Sequence, residues 1–521
     1  MVKKPLALAI ALALSPCFAQ ADEVSDLKAQ VEALQKQIDA LKGKIEQVTT
    51  QVQSQKTEMQ AQQAEQQKKN EQFLARQPGA TGLTFLTPGG GDVTLYGNLD
   101  LSFDYATKGL LSDYGDNGGM PVGQMGWQPA ISTNLSYIGV RGRHPLQENL
   151  DFVWQLEAGI AISALPGTVN TTSNNSDQVN GALFSRNSFI GFAGKDWGAV
   201  KIGKSETPYK LSTDPLNPFS GMLGDYRVIM GNTGGDNRVE FGYRAPHAIW
   251  YESPSWSGVS FNAMYAPGQN RDDTSSIVPS GEPDCSGGNI PGSGALPPTC
   301  NDGSFGNLYS VSLLYRGGPL YLATAYELHK NVNRTSDLPV YDPNDIADES
   351  AYKAAIQYAF PTKTVVGFEW ERTKRNVPAD LQYQNERTRN NATWLVVTQA
   401  LTEKDNVSFG WAHAGSTPGD PGQHNTSGGP NPPNSANMYT LAWKHAVDSA
   451  LNLYANYAAT INNSSAHYDL GAGGHAATVD CHDSTPEAAF DATTGTTSNT
   501  GPHCFAGGHL QGISVGAQYR F

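Results

Sequence analysis

Val93-Thr94-Leu95-Tyr96-Gly97-Asn98-Leu99-Asp100-Leu101-Ser102-Phe103-Asp104-Tyr105 changes character at every residue. Val93, Leu95, Gly97, Leu99, Leu101, Phe103 and Tyr105 share one parity; Thr94, Tyr96, Asn98, Asp100, Ser102 and Asp104 share the other. A period of two is a strand's. One face suits lipid and the other water, as in a membrane-spanning β-strand. A soluble sandwich strand also alternates, so the argument rests on repetition. Leu150, Phe152, Trp154 and Leu156 alternate with Asp151, Gln155 and Glu157, and Tyr309, Val311, Leu313 and Tyr315 with Ser310, Ser312 and Arg316. Tyr352, Ala354, Ile356 and Tyr358 alternate with Lys353 and Gln357, and Val366, Phe368 and Trp370 with Glu369 and Glu371. Sixteen such segments begin near residues 93, 131, 149, 184, 196, 245, 256, 307, 319, 349, 363, 389, 403, 436, 449 and 508. Their connections alternate between short turns, such as Gln147-Glu148 and Pro361-Thr362, and long loops, such as 207–244 and 462–507. That alternation predicts an all-β membrane protein over 93–521, a 16-stranded antiparallel transmembrane β-barrel. An even count puts both termini on the short-turn, periplasmic side, and sixteen strands leave an aqueous channel.

Ahead of the barrel the period is 3.5. Val24, Leu27, Val31, Leu34, Ile38, Leu41, Ile45, Val48 and Val52 alternate spacings of three and four. This predicts an α-helical coiled coil over 22–75, a periplasmic arm that, helical from Val24 to Leu74, reaches roughly 75 Å at 1.5 Å per residue. β-branched residues at a with Leu at d favour two strands on intrinsic packing. Residues 76–92 read as a Gly/Pro/Thr linker. Residues 1–21 read as a signal peptide: Lys3 and Lys4, an apolar run from Leu6 to Leu14, then Ala19-Gln20-Ala21. That run is too short to span a bilayer.

The formal net charge of -14 excludes nucleic acid as a partner. Four cysteines follow the signal segment: Cys285, Cys300, Cys481 and Cys504. In an exported chain an even number favours disulfides. Cys285 with Cys300 and Cys481 with Cys504 would each close one loop, although three connectivities exist. Cys481-His482 and His503-Cys504 could instead offer four ligands to zinc, but oxidising surroundings favour the disulfide. Gly512-Ile513-Ser514-Val515-Gly516 matches a hydrolase pattern that needs a strand, a sharp turn and a helix; here it lies in a terminal strand. No nucleophile, base and acid assemble, so no enzyme, cofactor or metal is expected.

Val93-Thr94-Leu95-Tyr96-Gly97, Ser185-Arg186-Asn187-Ser188-Phe189-Ile190-Gly191, Gly198-Ala199-Val200-Lys201-Ile202-Gly203-Lys204, Thr207-Pro208-Tyr209, Tyr251-Glu252-Ser253-Pro254 and Gln518-Tyr519-Arg520-Phe521 occur in that order. In them residues 93–521 resemble the general porins of Gram-negative bacteria, and the preceding coiled coil resembles the arrangement in DcaP-like porins. The resemblance implies a homotrimer in which the third long loop, here 207–244, folds inward to narrow each pore. The last strand, with Tyr519 and terminal Phe521, resembles the signal read by the outer-membrane assembly machinery. Trp250 stands where many relatives point a basic residue into the pore, which argues against a strongly anion-selective constriction.

The expected pore-lining set is Arg141, Arg143 and Lys201 on the wall, facing Glu206, Lys210, Asp214, Asp225, Arg227, Asp236, Arg238 and Glu240 on the loop, with Trp250. Facing acids and bases would set a transverse field that orients polar solutes. The function expected is passive diffusion of small hydrophilic solutes and ions across the lipid of the outer membrane. The alternative is a structural anchor that tethers the envelope, with the cell wall as the arm's partner. Conductance separates the two.

Overall fold

The computed structural model describes residues 32–33, 35–36, 39, 42–43, 82–108, 125–160, 162, 186–231, 241–242, 244–267, 307–333, 346–374, 389–416, 435–463, 466, 468–470, 488–491, 496–499 and 509–521. The chain divides into two compact units, residues 1–76 and 77–521. In the first, Glu32, Ala33, Gln35, Lys36, Asp39, Lys42 and Gly43 are helical and exposed. The apolar seam of the expected coiled coil, the signal segment, the four later cysteines and Asp236, Arg238 and Glu240 lie outside the described residues.

The second unit is built from β1 (Leu83–Leu86), β2 (Asp92–Lys108), β3 (Met125–Thr133), β4 (Tyr137–Gln147), β5 (Leu150–Gly159), β6 (Ser188–Gly194), β7 (Gly198–Glu206), α1 (Pro208–Leu211), β8 (Arg244–Glu252), β9 (Val259–Ala266), β10 (Asn307–Gly317), β11 (Leu320–Asn333), β12 (Ile346–Ala359), β13 (Thr364–Lys374), β14 (Arg389–Ala400), β15 (Asp405–Ala414), β16 (Ala436–Ala446), β17 (Leu451–Asn462), β18 (Ala488–Asp491), β19 (Thr496–Asn499) and β20 (His509–Arg520). β2 pairs with β20 on one side and with β3 and β4 on the other, and each later strand pairs antiparallel with its neighbours around to β17 and back to β20. Counting β3–β4 as one stave, the barrel closes with sixteen. All sixteen predicted segments are staves. Phe521 closes the seam, exchanging backbone hydrogen bonds of 2.8 and 3.1 Å with Gly97.

Burial follows parity. On β2, Phe103 is 55% exposed and Asp104 0%; the first faces the surroundings and the second the lumen. The outer surface is apolar between bands of aromatic pairs. Tyr105 stacks on Trp127 and Tyr352 meets Trp370 near the long-loop end, while Tyr358 meets Phe360 and Tyr519 meets Phe521 at the short-turn end. β15 and β16 carry a repeated outward pair. Trp411 and His413 stack and both hydrogen-bond Asn437 on the next strand, at 3.1 and 3.0 Å. Trp443 and His445 stack and both hydrogen-bond Asp405, at 3.2 and 2.8 Å.

Three features differ from the expectation. Leu83–Leu86, within the predicted linker, form β1 on the edge of β2, with Leu83 opposite Leu95. The second stave begins at Met125, not near 131, and breaks at Asn134-Leu135-Ser136, where Leu135 has φ 47°. Polar bonds fill the break: the Asn134 side chain donates to Ser102 Oγ (2.8 Å) and to Tyr454 Oη (2.9 Å), and Ser136 Oγ accepts from the Asp100 amide (2.8 Å). Most consequentially, the inner wall is not polar throughout. From β10 to β17 it presents Leu314, Tyr321, Ala323, Ala355, Ala392, Trp394, Val396, Ala412, Ala414, Ala436, Met438, Ala442 and Tyr454, packed on Leu216, Phe219, Met222, Tyr226, Val228, Ile229 and Met230 of the loop after β7. Each of the larger side chains contributes about 1.5–3 kcal/mol by leaving water. The hydrophobic core therefore sits inside the barrel.

Candidate functional site: the inward loop and the wall it faces

The loop enters through Thr207, whose hydroxyl accepts from the Lys210 amide (3.3 Å), with Pro208 starting the four-residue α1. From there it follows the inner wall strand by strand. The Tyr209 amide donates to Ser310 Oγ on β10 (3.0 Å), and its phenol to Glu371 on β13 (2.6 Å). Tyr321 on β11 donates to the Ser212 carbonyl (2.6 Å), Lys353 on β12 to Thr213 (2.8 Å), Gln357 to the Pro215 carbonyl (3.0 Å) and Trp394 on β14 to the Leu216 carbonyl (3.0 Å). At the far side Thr440 on β16 donates to the Gly224 carbonyl and Asn456 on β17 to the Leu223 carbonyl, both at 2.8 Å. The return limb is held by wall carboxylates, Glu371 accepting from the Gly231 amide (2.6 Å) and Glu327 from the Gly242 amide (2.9 Å). Gly224 has φ 76°, and a Cβ there would lie 2.2 Å from Thr440 Oγ1, so only glycine fits the tip. Burial pushes the Tyr209 and Tyr226 phenols well up, helped by Glu371 and Glu369 respectively; both stay neutral donors.

The face of the loop turned away from that wall keeps Lys210, Asp214 and Arg227 partly exposed. Opposite lie β4 to β8. Arg186, just before β6, binds Glu157 Oε1 through Nε (2.6 Å), and Tyr96 donates to Oε2 of the same carboxylate (3.0 Å). Arg186 covers the Tyr137 ring and Arg141 the Tyr96 ring, at 4.8 and 4.9 Å. Glu206 joins wall to loop: Oε1 takes both Arg244 Nη2 (3.1 Å) and Lys210 Nζ (2.8 Å). Arg244 Nε donates to Asn187 (2.7 Å), and Arg227 pairs with Asp214. Nearer the short-turn end are Arg143–Asp151 (2.7 Å) and Lys201–Glu252 (3.0 Å). Trp250 faces inward at 4% exposure, edge-on to Phe189, its indole N–H on Glu252 (3.1 Å).

Arg141, Arg143, Lys201 and Trp250 thus line the wall, and Glu206, Lys210, Asp214 and Arg227 meet where loop and wall converge. Asp225 does not join this charged cluster. It is 2% exposed and organises the loop tip, accepting from the Asn217 side chain (2.9 Å) and the Gly221 amide (3.3 Å). Among the described residues the charges are interleaved, each buried cation having a counter-charge within contact distance. Sequence reasoning passed over Arg186 and Arg244 as site residues; both stand at strand ends beside inward tyrosines or acids, a pattern legible only once registers are known. The hydrolase-like pattern is resolved too: Ser514 is buried within β20, with no turn or helix after it.

The family described as Gram-negative porin matches residues 7–465. An outer membrane porin of Bordetella pertussis is 28% identical over 190 residues, 36% of this chain and 45% of that relative. Among solved structures, an anion-selective porin from Comamonas acidovorans superposes with a TM-score of 0.54 at 17% identity, covering 83% of this chain and all of the other. The outer membrane channel DcaP of Acinetobacter baumannii gives 0.47 at 12%, covering 84% and 99%. The chain spans about half the length of the curated relatives it matches.

Proposed function

Since the chain belongs to the Gram-negative porin family, we propose that it is an outer-membrane channel through which small hydrophilic solutes and ions diffuse passively. The observation that carries this reading is the cluster of charged, partly exposed side chains inside the barrel, Arg141, Arg186 and Arg244 of the wall beside Lys210, Asp214 and Arg227 of the loop. Packing the loop on the β10–β17 half leaves a cluster of charged, partly solvated groups along the other half. Water and solutes of either sign can exchange contacts there with paired charges, without meeting an unpaired buried one.

The rest of the proposal concerns assembly. Three barrels associate, the arm of each chain reaches into the periplasm, and the long loops face outward with Cys285–Cys300 and Cys481–Cys504 disulfides. The heptads alone favour a dimer. Barrel contacts bury more surface, and three tethered arms meet at high effective concentration. Native mass spectrometry of the full chain in detergent is expected to give a trimer; a dominant dimer overturns it.

Planar-bilayer recording tests the channel. The wild type is expected to conduct, and deletion of residues 216–235 to raise conductance severalfold. A protein that inserts and passes no current overturns the reading and returns the anchor.

A further inference from the structure

Beyond β17, Ala466, Tyr468, Asp469 and Leu470 are buried inside the barrel. Asn462, the last residue of β17, grips Tyr468 as a backbone neighbour would: its Oδ1 accepts from the Tyr468 amide and its Nδ2 donates to the Tyr468 carbonyl, both at 2.9 Å. Thr460 Oγ1 donates to the Asp469 carbonyl (3.0 Å). The third carbonyl, of Leu470, accepts from the Gly224 amide (2.8 Å), at the tip of the inward loop. All three carbonyls in a row are held, two by the wall and one by the loop.

Apolar packing repeats the link. Leu470 and Leu223, both 0% exposed, share one cluster with Ala106, Ala130, Ala458 and Leu510. A Cβ on Gly512 of β20 would lie 2.9 Å from Leu223 Cδ1 and 3.0 Å from Leu470 Cδ2, so the missing side chain admits both leucines. Ala466 and Tyr468 join the larger core around Tyr226 and Trp394.

We propose that Ala466 and Tyr468-Asp469-Leu470, early in the last long loop, are a latch that positions the tip of the inward loop and steadies the current through the channel. The inference rests on the channel reading above. The physical reason is that the Gly224 amide is buried and Leu470 is its acceptor. If the latch leaves, that donor is unmet and Leu223 loses its apolar partner. The tip then moves relative to Arg141, Arg186 and Arg244, and the passage changes width.

The test is single-channel recording of Leu470→Asp and of the gentler pair Thr460→Ala/Asn462→Ala, each first shown to be folded by heat-modifiable gel mobility. Both are expected to close several times more often than the wild type and to show added current noise. If Leu470→Asp does not fold, the pair decides. A Leu223→Cys/Leu470→Cys variant adds an opposite readout: oxidation should quieten the current and reduction reverse it, while the parent protein with its own cysteines responds to neither. Variants that fold and lose heat stability but keep a wild-type current overturn the latch and leave the channel reading intact. A wild type without current overturns the channel reading instead.

Discussion

Trp394 of β14 and Tyr226 of the inward loop lie ring on ring, centroids 4.6 Å apart and planes 12° from parallel. Phe219 meets the same indole edge-on at 5.9 Å, and the indole N–H binds the Leu216 carbonyl (3.0 Å). One wall residue thus touches three separated points of the loop. Trp394→Ala should cost about 3–5 kcal/mol through the cavity it leaves and release the loop from the wall. Trp394→Phe keeps a stacking surface and loses one hydrogen bond, worth about 0.5–1.5 kcal/mol. Chemical denaturation should rank the wild type above the Phe variant and the Phe variant above the Ala; equal midpoints would contradict the assignment.

Lys353 bridges wall and loop, donating to Thr213 (2.8 Å), covering the Tyr209 ring (4.2 Å) and pairing with Glu369 (3.3 Å). Neither Glu369 oxygen has a hydrogen bond. Lys353→Met should therefore cost about 3–5 kcal/mol by stranding that carboxylate. Lys353→Met/Glu369→Leu removes both charges and should be more stable than the single variant. A double variant no better than the single would show that the loss comes from Thr213 and Tyr209 instead.

Glu206 balances two cations at the narrowing, Lys210 and Arg244. Glu206→Gln should shift the reversal potential in a salt gradient towards anions, and Arg186→Ser or Arg244→Ser towards cations. Shifts of one sign for all three would contradict the placement of these groups along the passage.

Burial holds the Lys210 ammonium below its ordinary value against the opposing pull of Glu206, and Arg227 and Arg244 push the same way as burial. Raising the pH therefore removes a positive charge from the passage before an ordinary lysine would lose one. Preference for anions should fall across that alkaline interval, while Lys210→Arg, which stays charged, should show no such step. Reversal potentials measured over a pH series decide it.

The barrel was readable because outward residues must be apolar and large, and their period of two survives every change of loop. The inner core was not, for a related reason. Where the loop lies on the wall, inward positions need small apolar side chains, and Ala323, Ala355, Ala392, Ala412 and Ala442 meet that need. Alanine between large outward residues still alternates in size, so the strand reads the same whether it faces water or a packed loop. The break at Leu135 was hidden because the partners that fill it are far away in sequence, Asp100 and Ser102 on β2 by 36 and 32 residues and Tyr454 on β17 by 320. Arg186 escaped because its role depends on Glu157, 29 residues away.

The two Trp–His pairs of β15 and β16 have a consequence for the bilayer. They dock at register positions His413–Asn437 and Asp405–His445, eight residues apart along β15. At about 3.4 Å per residue that is roughly 27 Å of strand, and at the usual tilt of about 40° roughly 20 Å of height. Indole rings seek the water–lipid boundary, and here the stacked imidazoles and the polar partners on the neighbouring strand lock them in place. The barrel carries a rigid gauge on this face. Lipid alongside it must match that gauge, so the hydrocarbon layer touching β15 and β16 is set by the protein and thins locally wherever the free membrane is thicker.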